Sequence, residues 1–257
     1  MLGTGNAFLP YGRLHSFAMI DGKHIIDCPP TALASLRREG IVLSDIETIF
    51  ITHVHADHVF GFPFFLLERR YISDRGQEKP LTVVAAPGVK EHLLHLCQLA
   101  YPGSLDEVFS TIQWREESEG TLQSGLTWKR FRVLHDESVD PFGYHFDAGT
   151  DGSFVHSGDS GPCRTLYDEL EATNMAIIEM GIPDWVDSPH HHTPTELRTL
   201  AQSNPSLLMV VTHTFIDQPG IHPVPTVTDV YPEHPSNVVH AEDGLLIQQS
   251  SSSWSVV

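Results

Sequence analysis

The segment Thr52-His53-Val54-His55-Ala56-Asp57-His58 places four potential metal ligands within six positions. It follows the apolar run Ile49-Phe50-Ile51, part of a stretch that reads as a buried strand over 48–52. A strand ending on such a set leaves the chain few folds, because the ligands must face a common point at a sheet edge. Residues i and i+2 of an extended segment point the same way, so His53 and His55 can reach one ion. Asp57 and His58 come at the turn into a helix and point to a second position nearby. Zinc is held by His nitrogen and carboxylate oxygen at roughly 2.0–2.2 Å, and an open coordination position makes such a site catalytic.

Two ions need more ligands than these four. His135 closes the strand-like run WKRFRVLH, Asp159 lies in HSGDSG after FVHS, and His213 closes LLMVVTH. Each sits where a strand hands over to a loop, a place able to face a shared edge. Singly, each could be an ordinary strand-end residue; together with HxHxDH they read as the rest of a ligand set. His145 and His156 read equally well as strand residues or as partners of ligands and are left outside it.

Short apolar runs alternate with turns and helical stretches along the whole chain. Segments 16–20 and 23–27, joined at Asp21-Gly22, read as a hairpin. Helices are expected over 31–38, 59–72, 88–100, 165–172 and 194–202. Further strands are expected over 81–86, 126–134, 142–146, 153–157, 175–179, 207–212 and 245–248. Segment 217–235 carries five prolines and reads as a long surface loop, and 250–253 as a frayed low-complexity tail. No repeat or linker divides the chain, so one domain spans 1–257.

The overall charge narrows the partners. The 257 residues carry 15 basic and 33 acidic side chains, a net of −18. Phosphate-backbone binding draws on Lys and Arg, so this balance disfavours a nucleic-acid partner. Cys28, Cys97 and Cys163 stand far apart, with neither a metal-type spacing nor a disulfide framework; they read as small apolar side chains in a reduced compartment. No run of about 18 apolar residues offers a membrane span, and no secretory leader is seen. The expectation is a cytoplasmic protein, with room for a homodimer.

The order HxHxDH, His, Asp, His resembles the metallo-β-lactamase superfamily. Leu2-Gly3-Thr4-Gly5 resembles the opening turn of its tRNase Z-like and cyclic phosphodiesterase-like branch. Ser157-Gly158-Asp159-Ser160 is similar to that branch's SGDT, His192-Thr193-Pro194-Thr195-Glu196 to its HST segment, and Ala241-Glu242-Asp243-Gly244 to its closing A-x-D-G. The resemblance implies an αββα sandwich of the α/β (α+β) class. It implies that His53, His55 and His135 hold one metal, that Asp57, His58 and His213 hold the other, and that Asp159 bridges them. It further implies that Asp57 and His192 are catalytic, His192 as general acid to the leaving oxygen, with His190 and His191 as competitors for that role. The cofactors would be two divalent ions, zinc by the nitrogen-rich set, although manganese or iron could fill the same cage.

The departures matter too. Only Met1 precedes the opening turn where the branch has a strand, so either the start is late or an edge strand is missing. The basic arm of tRNA processors is not evident: its window, 101–120, is acidic. The Cys-rich extra zinc site of the cyclic-phosphodiesterase relatives is absent from the sequence. These features point to a dinuclear phosphodiesterase that uses a metal-activated water on a small anionic phosphodiester rather than on tRNA. A lactone or thioester hydrolase on the same scaffold is the alternative, and a non-catalytic metal sensor or carrier is the alternative of another class.

Overall fold

Thr48, Ile49 and Phe50 are all buried. A strand with no exposed face must be covered on both sides, and the fold does so with two sheets packed face to face and helices outside. The computed structural model describes residues 1–149, 152–215, 235–250 and 253–257.

The first sheet runs in sequence order through β1 (Ala18–Ile20), β2 (His24–Ile26), β3 (Thr48–Phe50), β4 (Thr82–Val84) and β5 (Gln113–Arg115). The β1–β2 pair is antiparallel and the others are parallel. Three residues, Asp21-Gly22-Lys23, link the paired Ile20 and His24; Asp21 and Gly22 have positive φ (52° and 71°), and the Lys23 N–H closes the turn on the Ile20 carbonyl at 3.1 Å. Its helices are α1 (Ala32–Arg38), α2 (Ala56–Val59), α3 (Phe62–Glu68), α4 (Val89–Ala100) and α5 (Asp106–Ser110). A wide turn over Arg69–Ser73 extends α3.

The second sheet holds β6 (Glu119–Thr121), β7 (Thr127–Arg132), β8 (Phe142–Asp147), β9 (Ser153–His156), β10 (Met175–Glu179), β11 (Leu208–Thr212) and β12 (Val238–His240), again ordered by sequence. Each neighbouring pair from β6 to β9 is antiparallel, whereas β9 to β12 are parallel. Helices α6 (Arg164–Leu170) and α7 (Pro194–Ser203) belong to this half. A capping box starts α7: Thr193 accepts from the Glu196 N–H while the Glu196 carboxylate accepts from Thr193. A final hairpin pairs β13 (Ile247–Ser250) with β14 (Ser253–Val256).

The face on which each strand residue packs alternates along the strand. Ile25, Ile49 and Val83 join the helices in one apolar cluster, while Ala176, Ile178, Met209 and Val211 join α6 and α7 in another. The alternate positions Ile26, Phe50, Val84, Tyr144, Phe146, Ile177 and Val210 form the layer between the sheets. Phe50 lies at its centre, edge-on to Phe146, Tyr144 and Trp128 at centroid distances of 4.9, 5.4 and 6.1 Å. The expected four-layer αββα sandwich is thus the observed fold.

Differences from the sequence expectation are local. Short elements α5, β5, β6, β12 and β14 were not expected, and the last expected strand begins two residues later, at Ile247. Residues 217–234 of the expected proline-rich loop, and 251–252 of the expected tail, lie outside the described residues. Cys28 and Cys97 are buried and Cys163 is half-buried, and none of the three is bridged. Among the described residues no helix is long and apolar enough to cross a membrane.

Candidate metal centre

Topology explains why distant residues meet. Strands β2 and β3 are parallel, as are β9, β10 and β11, and β7 shares their direction through β8. Their carboxyl ends therefore open on one edge of the sandwich. There the first sheet presents His53, His55, Asp57 and His58, and the second presents His135, Asp159 and His213.

All seven predicted ligands come together, in two groups: His53, His55 and His135, and then Asp57, His58, Asp159 and His213. In the first, the Nδ1 of His55 lies 3.0 Å from His53 Nε2 and 3.1 Å from His135 Nε2. In the second, Asp159 Oδ2 lies 3.3 Å from both His58 Nε2 and His213 Nε2, and Asp57 Oδ2 lies 3.5 and 3.3 Å from the same atoms. Asp159 Oδ2 also stands 3.9 Å from His53 Nε2, between the two groups. Ligands placed about 2.0–2.1 Å from a tetrahedral ion stand about 3.3 Å apart, so this spacing fits metal coordination.

The proton arrangement fits as well. His135 Nδ1 donates to the His190 carbonyl at 2.9 Å, which leaves its Nε2 with a lone pair. The Nε2 of His58 is buried with no hydrogen-bond partner and faces the second group. Burial lowers the pKa of His53 and His135, which favours the neutral, donor form of both rings. Burial would do the same to His58, but the carboxylates of Asp159, Asp57 and Asp27 outweigh it and hold its pKa well above the usual histidine range. Burial likewise works against the Asp159 carboxylate, yet His213 and His58 keep its pKa far below the ordinary value. The second group is thus built around positive charge, which a divalent cation would supply.

The run His190-His191-His192 divides into three environments. His190 is exposed and contributes its carbonyl to His135. His191 is half-buried, with its ring 4.8 Å from the His135 ring and stacked at 5.8 Å on that of His213. Its Nδ1 lies 3.2 Å from Glu179 Oε1, and one of its ring nitrogens lies within 4.8 Å of ligand atoms of His135 and Asp159. His192, expected to face the site as general acid, is fully buried elsewhere. Its Nε2 sits 3.2 Å from the Tyr167 hydroxyl, and only its backbone N–H reaches Glu179, at 3.0 Å. Its neighbour Thr193 is extended and caps α7, and the His192 ring packs against Tyr167 of α6 at a centroid distance of 6.1 Å.

Glu179 was not foreseen. It closes β10, is 1% exposed, and accepts from the backbone of Ser160 and His192 as well as facing the His191 ring. The available signal was an acidic residue ending the apolar run Met175-Ala176-Ile177-Ile178. His145 lies on β8 bonded to Glu169, and His156 accepts from the Gly158 N–H; neither joins the two groups.

Over 116 residues the chain is 33% identical to "Ribonuclease Z" of Staphylococcus carnosus, covering 43% of this chain and 34% of that protein. Over 158 residues it is 31% identical to "Ribonuclease BN" of Proteus mirabilis, covering 59% and 44%. The chain therefore matches about a third to a half of the length of these curated relatives. Among solved structures, the metallo-β-lactamase fold protein YhfI of Bacillus subtilis superposes with a TM-score of 0.73 at 15% identity, over 100% of this chain and 97% of that one. A diphosphatase of the PhnP family superposes at 0.68 with 18% identity, over 98% and 97%. These likenesses show the metallo-β-lactamase fold. One family model covers residues 1–214, a span that includes all seven clustered ligands, and by that match the chain belongs to the family of the anti-Pycsar protein Apyc1.

Proposed function

We propose that this metal-dependent hydrolase is a dinuclear phosphodiesterase acting on a small anionic phosphodiester, cyclic or nucleotide-derived. The observation that carries the reading is Asp159: one carboxylate oxygen reaches ligand atoms of both groups, as a bridge between two ions would. Two divalent cations there would supply Lewis acidity toward a phosphoryl oxygen and lower the pKa of water toward neutrality. Zinc suits the nitrogen-rich donors, and manganese or iron could occupy the same ligands.

The chain's own residues would do the rest. Asp57 shares the second group and is held ionised: burial opposes this, but His58 and His213 lower its pKa well below the usual carboxylate range. His191 takes the role expected of His192. Burial pulls its pKa down, but Glu179 outweighs burial and raises it to about 9. Neighbouring cations would draw that value back toward neutrality, where proton donation to a leaving oxygen is most effective. Glu179 holds Nδ1 of this ring and so fixes which nitrogen can face substrate.

Size and charge favour a small substrate. Residues 101–120, where a tRNA-gripping arm would emerge, instead form α5, β5 and the start of β6. The net charge of −18 opposes a polyanion. Relatives named as ribonucleases and a diphosphatase support phosphorus chemistry over lactone or thioester cleavage. The test compares initial rates on bis-p-nitrophenyl phosphate, a cyclic nucleotide, a lactone, a thioester and a pre-tRNA. The reading requires the two small phosphodiesters to lead. A lactone or thioester in front, or efficient tRNA cleavage with a steep salt dependence, would overturn it.

A further inference from the structure

His15 stands at the metal-bearing edge, yet neither ligand group includes it. Its backbone is pinned on several sides. The N–H donates to the Thr31 hydroxyl at 3.0 Å. Gly5 forms backbone bridges with His15 on one side and with Thr214, the residue after His213, on the other. Ser16 meets Thr212 through their hydroxyls at 2.9 Å. A Cβ at Gly3 would stand 2.0 Å from the His15 carbonyl oxygen, so only glycine lets the opening turn lie this close. These contacts place His15 beside His213. They would persist whatever side chain stood at position 15, so they give no reason for an imidazole.

The ring has its own partner. His15 is 9% exposed. Thr31 occupies the N-cap position of α1, but its hydroxyl does not cap that helix; it lies 3.3 Å from His15 Nδ1. The hydroxyl oxygen already accepts from the His15 backbone, so its proton is available to Nδ1. Nδ1 then accepts, and the proton of the neutral ring sits on Nε2. Burial favours that neutral form by lowering the pKa, and the charges that act on the ring belong to Asp57, His58 and His213, all of the second group. Among the described residues Nε2 has neither a hydrogen-bond partner nor an ion pair. An N–H in so buried a ring is costly when nothing accepts from it.

We propose that His15 contacts substrate, donating from Nε2 to a non-bridging phosphoryl oxygen of the bound diester on the side of the second group. The inference rests on the phosphodiesterase reading given above. A neutral donor suits this place, because it adds no further charge beside two cations. Its tautomer is set before substrate arrives, and a donor fixed in advance needs no reorganisation when charge develops on the oxygen. Thr31 is then a positioning residue, which acts through the ring that it orients.

The test uses the full chain with its metals. It measures kcat and KM on bis-p-nitrophenyl phosphate and on an alkyl phosphodiester, the dissociation constant of inorganic phosphate by calorimetry, the metal content and the melting temperature. The amide of His15→Gln can bring an N–H to the position of Nε2, whereas that of His15→Asn ends at the position of Nδ1. His15→Asn is expected to lower kcat/KM by about 10–100-fold on both esters and to weaken phosphate binding by a similar factor, with metal content unchanged. His15→Gln should recover most of that loss. Equal slowing of the two esters marks a contact with the phosphoryl group. A loss confined to the alkyl ester would mark an acid and overturn the inference, as would loss of metal or wild-type values in His15→Asn. If His15→Asn does not fold, Thr31→Val decides, because it keeps the ring and frees its proton to move to Nδ1. Weaker phosphate binding with full metal content supports the inference, and unchanged binding overturns it. A wild-type chain that holds its metals and cleaves neither ester would sink the phosphodiesterase reading, and this inference with it.

Discussion

Gly181 lies beneath the imidazole of His191. A Cβ at this position would stand 2.5 Å from His191 Nδ1 and 2.9 Å from Glu179 Oε2, where ordinary contact begins at 3.4 Å. In Gly181→Ala the ring must retreat by about 1 Å, and its 3.2 Å contact with Glu179 is lost. The backbone itself accepts alanine, because Gly181 is not among the residues with positive φ. Its carbonyl keeps the 3.1 Å bond from Asn6. The substitution therefore displaces the proposed acid without deleting it and without touching a metal ligand. A displacement of about 1 Å can cost about 10²-fold in rate, and a general acid as a whole contributes about 10²–10⁴. Gly181→Ala should slow an alkyl phosphodiester by about 10²-fold, with His191→Ala slower still. Bis-p-nitrophenyl phosphate, whose leaving group departs unaided, should slow by less than about tenfold. The assay is kcat on both esters, with metal content measured for each variant. Equal slowing of both esters would mean that His191 holds the phosphate rather than donating a proton. Metal loss in His191→Ala would make it a ligand, and a wild-type alkyl rate in Gly181→Ala would remove it from the chemistry.

Other outcomes follow from the same geometry. Asp159→Ala should deplete both ions and abolish hydrolysis, and full metal occupancy by elemental analysis would refute the bridge. His192→Ala should lower the melting temperature through the lost Tyr167 contact while keeping the wild-type ratio of alkyl to nitrophenyl rates; a selective loss on the alkyl ester would return the acid role to His192. Phe50→Ala removes the ring at the centre of the inter-sheet layer, which should cost about 3–5 kcal/mol and lower the melting temperature by about 6–20 °C. Arg69 is 1% exposed and bonded to Asp74, Ile46 and Lys79; Arg69→Ala leaves a buried carboxylate alone and should cost about 3–5 kcal/mol in denaturant unfolding.

Much of this was written locally in the chain. The ligand set was legible because strand ends deliver side chains to an edge, and HxHxDH states which edge. Strands such as Met175–Glu179 were legible because they are apolar up to their last residue. The short strands β5, β6 and β12 were not, since Gln-Trp-Arg, Glu-Gly-Thr and Val-Val-His offer at most two apolar residues each with no Asp-Gly turn beside them, and their pairing comes from neighbours. The acid illustrates another limit. Three consecutive histidines are chemically identical in the sequence, and only the direction of each ring separates His191 from His192. That direction is set by the capped start of α7 and by a glutamate twelve residues upstream. Glu179 carries the cue that reveals it: an acidic residue at the end of an apolar strand, where burial makes a carboxylate costly unless it is hydrogen-bonded.

Neither ligand group is contained in one sheet. His53 and His55 come from the first half of the chain and meet His135 from the second; Asp57 and His58 meet Asp159 and His213 in the same way. The halves are joined in sequence by the short link Glu116-Glu117-Ser118 between β5 and β6. A polypeptide severed there would give two pieces, each carrying an incomplete ligand set. Metal capture would then signal their reunion, so this centre can serve as a built-in reporter of whether the two halves have found each other.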